Sequence, residues 1–131
     1  MWIASKFGWF SIVKEKSGPG FMVRARSRAD LEQLTAAVAA CNEEKLPAII
    51  ETPEADYRFR IVIGNSQLWD VMEALVESVD YSNFKGEIAK TKGQRDKLEP
   101  YHRIWSVMAG YQADTVHRLG SGARGWRDIP K

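Results

Sequence analysis

One pattern occurs twice in this chain and limits what it can fold into: two strand-like runs joined by a turn, then an amphipathic helix. The first copy spans Phe7 to Ala40, with Ser17-Gly18-Pro19-Gly20 as the turn. The second spans Ala48 to Val79, with Thr52-Pro53-Glu54-Ala55-Asp56 as the turn. A hairpin must bury one face and a helix one stripe, so each helix packs on its own hairpin. Two such ββα repeats predict an α+β domain: a four-stranded antiparallel sheet with helices on one face. A C-terminal helical pair follows, and the sheet face away from the helices becomes the place to look for function.

Local signals fill in this plan. Ile3 to Val13 is apolar on both parities, with Phe7, Trp9 and Val13 on one and Phe10 and Ile12 on the other. Such a run reads as a central or doubly covered strand. In Phe21 to Arg26 the apolar Phe21, Val23 and Ala25 alternate with Met22, Arg24 and Arg26. Ser27 with Asp30 three residues on resembles a capping box, and Leu31, Leu34 and Val38 continue at helical spacing. Ala48 to Glu51 reads as a short strand ending before Pro53. Tyr57 to Ile63 alternates aromatic or aliphatic residues with Arg58 and Arg60 at first. Gly64-Asn65-Ser66 breaks that strand, and Leu68, Val71, Met72, Leu75, Val76 and Val79 form the stripe of the next helix. Asp80 and Ser82 offer caps for a short helix carrying Phe84 and Ile88. A last helix runs from Leu98 to Tyr111, with Pro100 tolerated in its first turn. The reading is a single domain over residues 1–112 and a flexible Gly- and Arg-containing tail over 113–131.

Charge and cysteine content narrow the function classes. Residues 1–111 hold 15 Lys+Arg against 15 Asp+Glu, so the net +2 arises wholly in residues 112–131. A protein gripping phosphates along its surface shows a basic body, and this one is neutral. The single cysteine, Cys41, excludes an internal disulfide, and its neighbours Ala39 and Ala40 suggest a small core residue. No signal pattern and no apolar run of membrane-spanning length is present, which predicts a cytoplasmic protein without a membrane partner.

Met1-Trp2, Phe7-Gly8-Trp9-Phe10-Ser11, Val23-Arg24-Ala25-Arg26, Asp56-Tyr57-Arg58, Asp80-Tyr81-Ser82-Asn83-Phe84-Lys85 and Tyr101-His102-Arg103-Ile104-Trp105 together resemble a small bacterial family without an assigned activity. The resemblance covers roughly residues 1–112. It implies a compact cytoplasmic domain and lends no catalytic residue or cofactor.

Three constellations carry chemistry. Arg24, Arg26, Arg58 and Arg60 project from the sheet face opposite the helices, where paired guanidinium groups can grip carboxylates or phosphates. The plainer alternative pairs them with Glu51, Glu15 or neighbouring helices. Asp80, Asn83 and Lys85, with Tyr101 and His102, bring together groups capable of acid–base chemistry. Against that, Asp80 serves as a helix cap, Asn83 as a turn residue and Lys85 as a solvated cation. Five Trp is a surplus for this length; Trp9 and Trp105 are read as filling the gap between the sheet and the C-terminal helices, while Trp2, Trp69 and Trp126 are candidates for an interface. No metal-ligand spacing, phosphate loop or nucleophile elbow occurs, so no catalytic residue, metal or cofactor is assigned. The leading reading is a non-enzymatic protein-binding or regulatory module, with a protein partner or a second copy of itself. The second is a nucleic-acid or anion binder using the arginine face. The third is a small-molecule enzyme.

Overall fold

The computed structural model describes residues 1–120. Its elements are β1 (Trp2–Ser5), β2 (Gly8–Lys14), β3 (Phe21–Ala25), α1 (Arg28–Asn42), β4 (Ile50–Glu51), β5 (Phe59–Ile63), α2 (Asn65–Glu77), α3 (Phe84–Lys90) and α4 (Leu98–Gly120). The chain divides at Arg95 into two compact units. The first is an α+β unit built on one antiparallel sheet of five strands in the order β1-β2-β3-β5-β4. The second contains α4.

The strand count corrects the expectation of four. What reads as one run from Ile3 to Val13 is a tight hairpin, with Ala4 opposite Trp9 and Ser5 opposite Gly8. Ser5 and Gly8 make the reversal. The Ser5 hydroxyl donates to the Gly8 carbonyl at 3.1 Å and accepts from the Phe7 amide at 3.1 Å. Gly8 has φ +147°, a conformation L side chains rarely adopt.

Alternation sorts the strands into two faces. Phe10, Ile12, Val23, Ala25, Ile61 and Ile63 point one way and are buried. Leu31, Leu34 and Val38 of α1 and Val71, Ala74 and Leu75 of α2 close over them as one core. Each fully buried side chain of this size contributes roughly 1.5–3 kcal/mol. α1 lies against β2, β3 and β5 and also against α2, so one helix spans the three inner strands of the sheet.

The helix termini depart from the sequence pattern. Ser27 occupies the N-cap position of α1 without a side-chain cap, and Asp30 turns inward instead of completing a capping box. Its buried carboxylate accepts from the Trp9 amide at 3.1 Å, because satisfying a buried strand amide outweighs an exposed cap. α1 ends in the left-handed residue Glu43 (φ 58°), whose amide donates to the Ala39 carbonyl at 3.0 Å. Cys41 is exposed near the end of α1, not a core residue. Gly64 precedes α2, its amide donating to Gln67 Oε1 at 3.3 Å. α4 continues nine residues past Tyr111 to Gly120, since Gln112, Ala113 and Asp114 sustain a helix although they interrupt its apolar stripe.

Gln94 completes the first unit. It is fully buried, and its Nε2 lies 2.9 Å from the Phe7 carbonyl, 3.2 Å from Gln33 Oε1 and 3.3 Å from Asp30 Oδ1. Two amide protons therefore serve three acceptors, and a flipped amide would set oxygen against oxygen. A methyl group at Gly8 would collide with the Asp30 carboxylate. Gly8→Ala should therefore cost about 3 kcal/mol in urea-induced unfolding, from backbone strain and overpacking together. Gly86→Ala, where an added Cβ meets nothing closer than 3.6 Å, should leave stability unchanged or raise it.

Candidate functional site

The sheet face away from α1 and α2 carries the first constellation. Register places Arg24 of β3 directly opposite Arg60 of β5, with Met22 opposite Val62 beside them. Ser11 lies opposite Arg24 on the other side, and Ile50 opposite Arg60. Trp2 lies opposite Ser11 at the β1 edge, its ring centroid 5.9 Å from that of Trp9 at an interplanar angle of 46°. The outer face thus runs from a tryptophan pair, through two facing arginines, to an isoleucine at the far edge.

The four arginines divide into two kinds. Arg26 and Arg58 are exposed and paired: Arg26 donates to Asp56 Oδ1 at 2.9 Å and Arg58 to Glu51 Oε1 at 2.7 Å. The Arg26 hydrogen bond holds the Asp56 carboxyl below the usual carboxylate range. Exposed pairs of this kind contribute little to stability. Arg24 and Arg60 are half-buried and neutral-bonded. Arg24 donates to the Ser11 hydroxyl at 2.7 Å, and Arg60 to the Tyr57 carbonyl at 3.3 Å. The Nε of each is buried with no hydrogen-bond partner among the described residues. The Tyr57 ring lies 4.6 Å from the Arg24 guanidinium and 4.3 Å from that of Arg26, spreading the charge over its π-face.

The polar constellation is divided. Asp80 pairs with Lys6 at 2.9 Å. Asn83 caps α3, its Oδ1 accepting from the Gly86 amide at 3.0 Å, so the cap expected of Asp80 or Ser82 falls to Asn83, one residue before the helix. Lys85 follows in the first turn of α3. Tyr101 and His102 belong to α4 in the second unit, where the His102 ring stacks on Trp105 at 5.8 Å and 15°. Among the described residues no group of three or more His, Cys, Asp or Glu is placed to hold a metal ion. No helix of the described residues is long and apolar enough to cross a membrane.

The tryptophans fall in separate places. Trp2 is 71 % exposed on the outer sheet face, and Trp69 is 73 % exposed on α2, in the helix layer. Trp126 lies outside the described residues. Trp9 faces outward beside Trp2, and Trp105 lies on α4 in the second unit. The sequence pattern missed the importance of Tyr57, Asp30 and Gln94. Only the pairing of Tyr57 with flanking arginines on adjacent strands could have flagged the first.

No protein-family model matches this chain, and no curated protein or solved structure shows significant similarity to it.

The Lys6 ammonium hydrogen-bonds Asp80 and holds its carboxyl below the ordinary range. A depressed folded-state value means the pair stabilises at pH above the ordinary carboxylate range and loses that contribution as pH falls through the folded-state value. Lys6→Gln should return the Asp80 midpoint to the usual carboxylate range in a side-chain NMR titration and flatten that part of the acid-unfolding profile.

Proposed function

We propose that this protein is a non-enzymatic cytoplasmic binding module that takes a protein partner on the outer face of its sheet. Arg24 and Arg60 grip an acidic side chain of that partner, and Trp2 and Trp9 supply the adjoining apolar contact. One observation carries the reading. Two like charges directly opposite each other on neighbouring strands are destabilising. A carboxylate seated between them offsets that repulsion through charge-assisted hydrogen bonds from the terminal guanidinium nitrogens. Tryptophan beside arginine is also the composition of interface hot spots.

The reading takes β2-β3-α1 and β4-β5-α2 as two copies of one ββα unit that meet at the β3–β5 pair. Arg24 and Arg60 are then equivalent positions on either side of the join. Anion recognition at the join draws one donor from each copy.

A second reading, single-stranded nucleic acid, has one observation in its favour: the Trp2–Trp9 pair could stack bases beside the two guanidiniums. Fluorescence anisotropy separates the two. A labelled acidic peptide containing Glu and aromatic residues should bind, and Arg24→Gln with Arg60→Gln should weaken binding at least tenfold while Arg26→Gln with Arg58→Gln changes it little. A labelled oligothymidylate should bind weakly or not at all. Tighter, steeply salt-dependent binding of the oligothymidylate would replace the protein reading with the second one. Failure of both probes would overturn the assignment of the face.

A further inference from the structure

We infer that β1 is a pairing edge through which two copies of this chain join their sheets, each β1 running antiparallel to that of the other copy. The two edges of the sheet differ in character. β4 is two residues long, carries Glu51 and lies between Pro47 and Pro53, all devices that close an edge to further strands. β1 has none of them: Trp2-Ile3-Ala4-Ser5 holds no charged side chain and no proline. Lys6, the first charged side chain along the sequence, is drawn off to Asp80 at 2.9 Å and Glu87 at 3.9 Å.

Backbone direction sets the register. Met1 and Ile12 exchange both backbone bonds at 2.8 Å. By antiparallel alternation Ile3 turns its N–H and C=O toward Phe10, while those of Trp2 and Ala4 point to the open edge. A second β1 meets them when Trp2 stands opposite Ala4 of the other copy and Ile3 opposite its counterpart on the two-fold axis. That register makes two hydrogen-bonded pairs, and so four backbone bonds. A shift of two residues sets Trp2 against Trp2, or Trp2 against Lys6 in the turn, and loses the Trp2–Ala4 pairs. The side chains agree. Trp2 is 71 % exposed, and Ala4 is exposed on the same face opposite Trp9. Joined in this register, the Trp2 ring of each copy covers Ala4 of the other, a large side chain over a small one. On the inner face Ile3 already packs against the core and meets its own counterpart, so apolar contact continues through the join with no charges opposed. A helix cannot substitute for the missing strand, since its backbone groups are spent on its own turns. Four residues of edge per copy bury less than the roughly 1,200 Å² total of a standard interface, so the dimer is weak and forms with concentration.

Sedimentation velocity of the full chain should show a monomer at about 1 μM and mostly dimer at about 1 mM. Ala4→Pro removes an edge-facing N–H without touching the bonds from β1 to β2. Ala4→Glu sets a charge beneath the tryptophan of the other copy. Each should weaken dimerisation at least tenfold with little change in melting temperature. Arg24→Gln with Arg60→Gln should leave the dimer intact, which separates this pairing from the anion site on the sheet face. Amide hydrogen exchange in dilute and in concentrated solution locates the join. The Ile3 amide should exchange slowly in both, whereas those of Trp2 and Ala4 should be fast when dilute and at least tenfold slower when concentrated. A monomer up to about 1 mM, or a dimer that survives both Ala4 variants, would overturn the inference. So would a dimer whose Trp2 and Ala4 amides stay fast, which would assign the association to another surface. Slow exchange at those two amides in the dilute monomer would likewise overturn it, by giving the edge to another segment of this chain.

Discussion

The buried carboxylate of Asp30 organises the first unit. It sits in the first turn of α1, yet it reaches across the layer boundary to the amide of Trp9 and the side chain of Gln94. Its seat exists only because Gly8 has no side chain. Helix, hairpin and the segment after α3 therefore meet at one polar point inside an otherwise apolar core. Removing any one member leaves hydrogen-bonding groups stranded out of water, which costs more than the bond itself contributed. The contact also fixes β1 and β2 relative to α1, and so sets where Trp2 and Trp9 stand on the far side of the sheet.

Strong periodicity was legible in the amino-acid sequence. The alternation of Phe21 to Arg26 and of Phe59 to Ile63 placed Arg24 and Arg60 on the face away from the helices, as the register has it. Leu31, Leu34 and Val38 were recognisable as the buried stripe of α1. What escaped was decided by tertiary partners. Asp30 has the spacing of a capping residue, and nothing local says that a strand amide 21 residues earlier claims it. The β1–β2 hairpin was hidden because its turn uses Ser5 and Gly8 without the proline or asparagine that usually marks a reversal. Gln94 reads as part of a polar turn; only the assembled fold shows it fully buried. In the candidate site, the exposed pairing of Arg58 with Glu51 was foreseeable, whereas the stranding of both Nε atoms was not.

The strand order has a consequence for synthesis on the ribosome. β3 lies in the middle of the sheet, but one of its neighbours arrives late: Val23 pairs with Ile61, 38 residues further along the chain. Until β5 emerges, β3 presents an open edge whose amides and carbonyls can capture another strand. Closure waits longer still, because Gln94 enters only after α1, α2 and α3 have been made. The nascent chain thus passes through a window in which its central strand is half-paired and the seat of Asp30 is incomplete. Slow elongation between residues 26 and 63 would lengthen that exposure, and yield in the cell should depend on translation speed there more than on final stability.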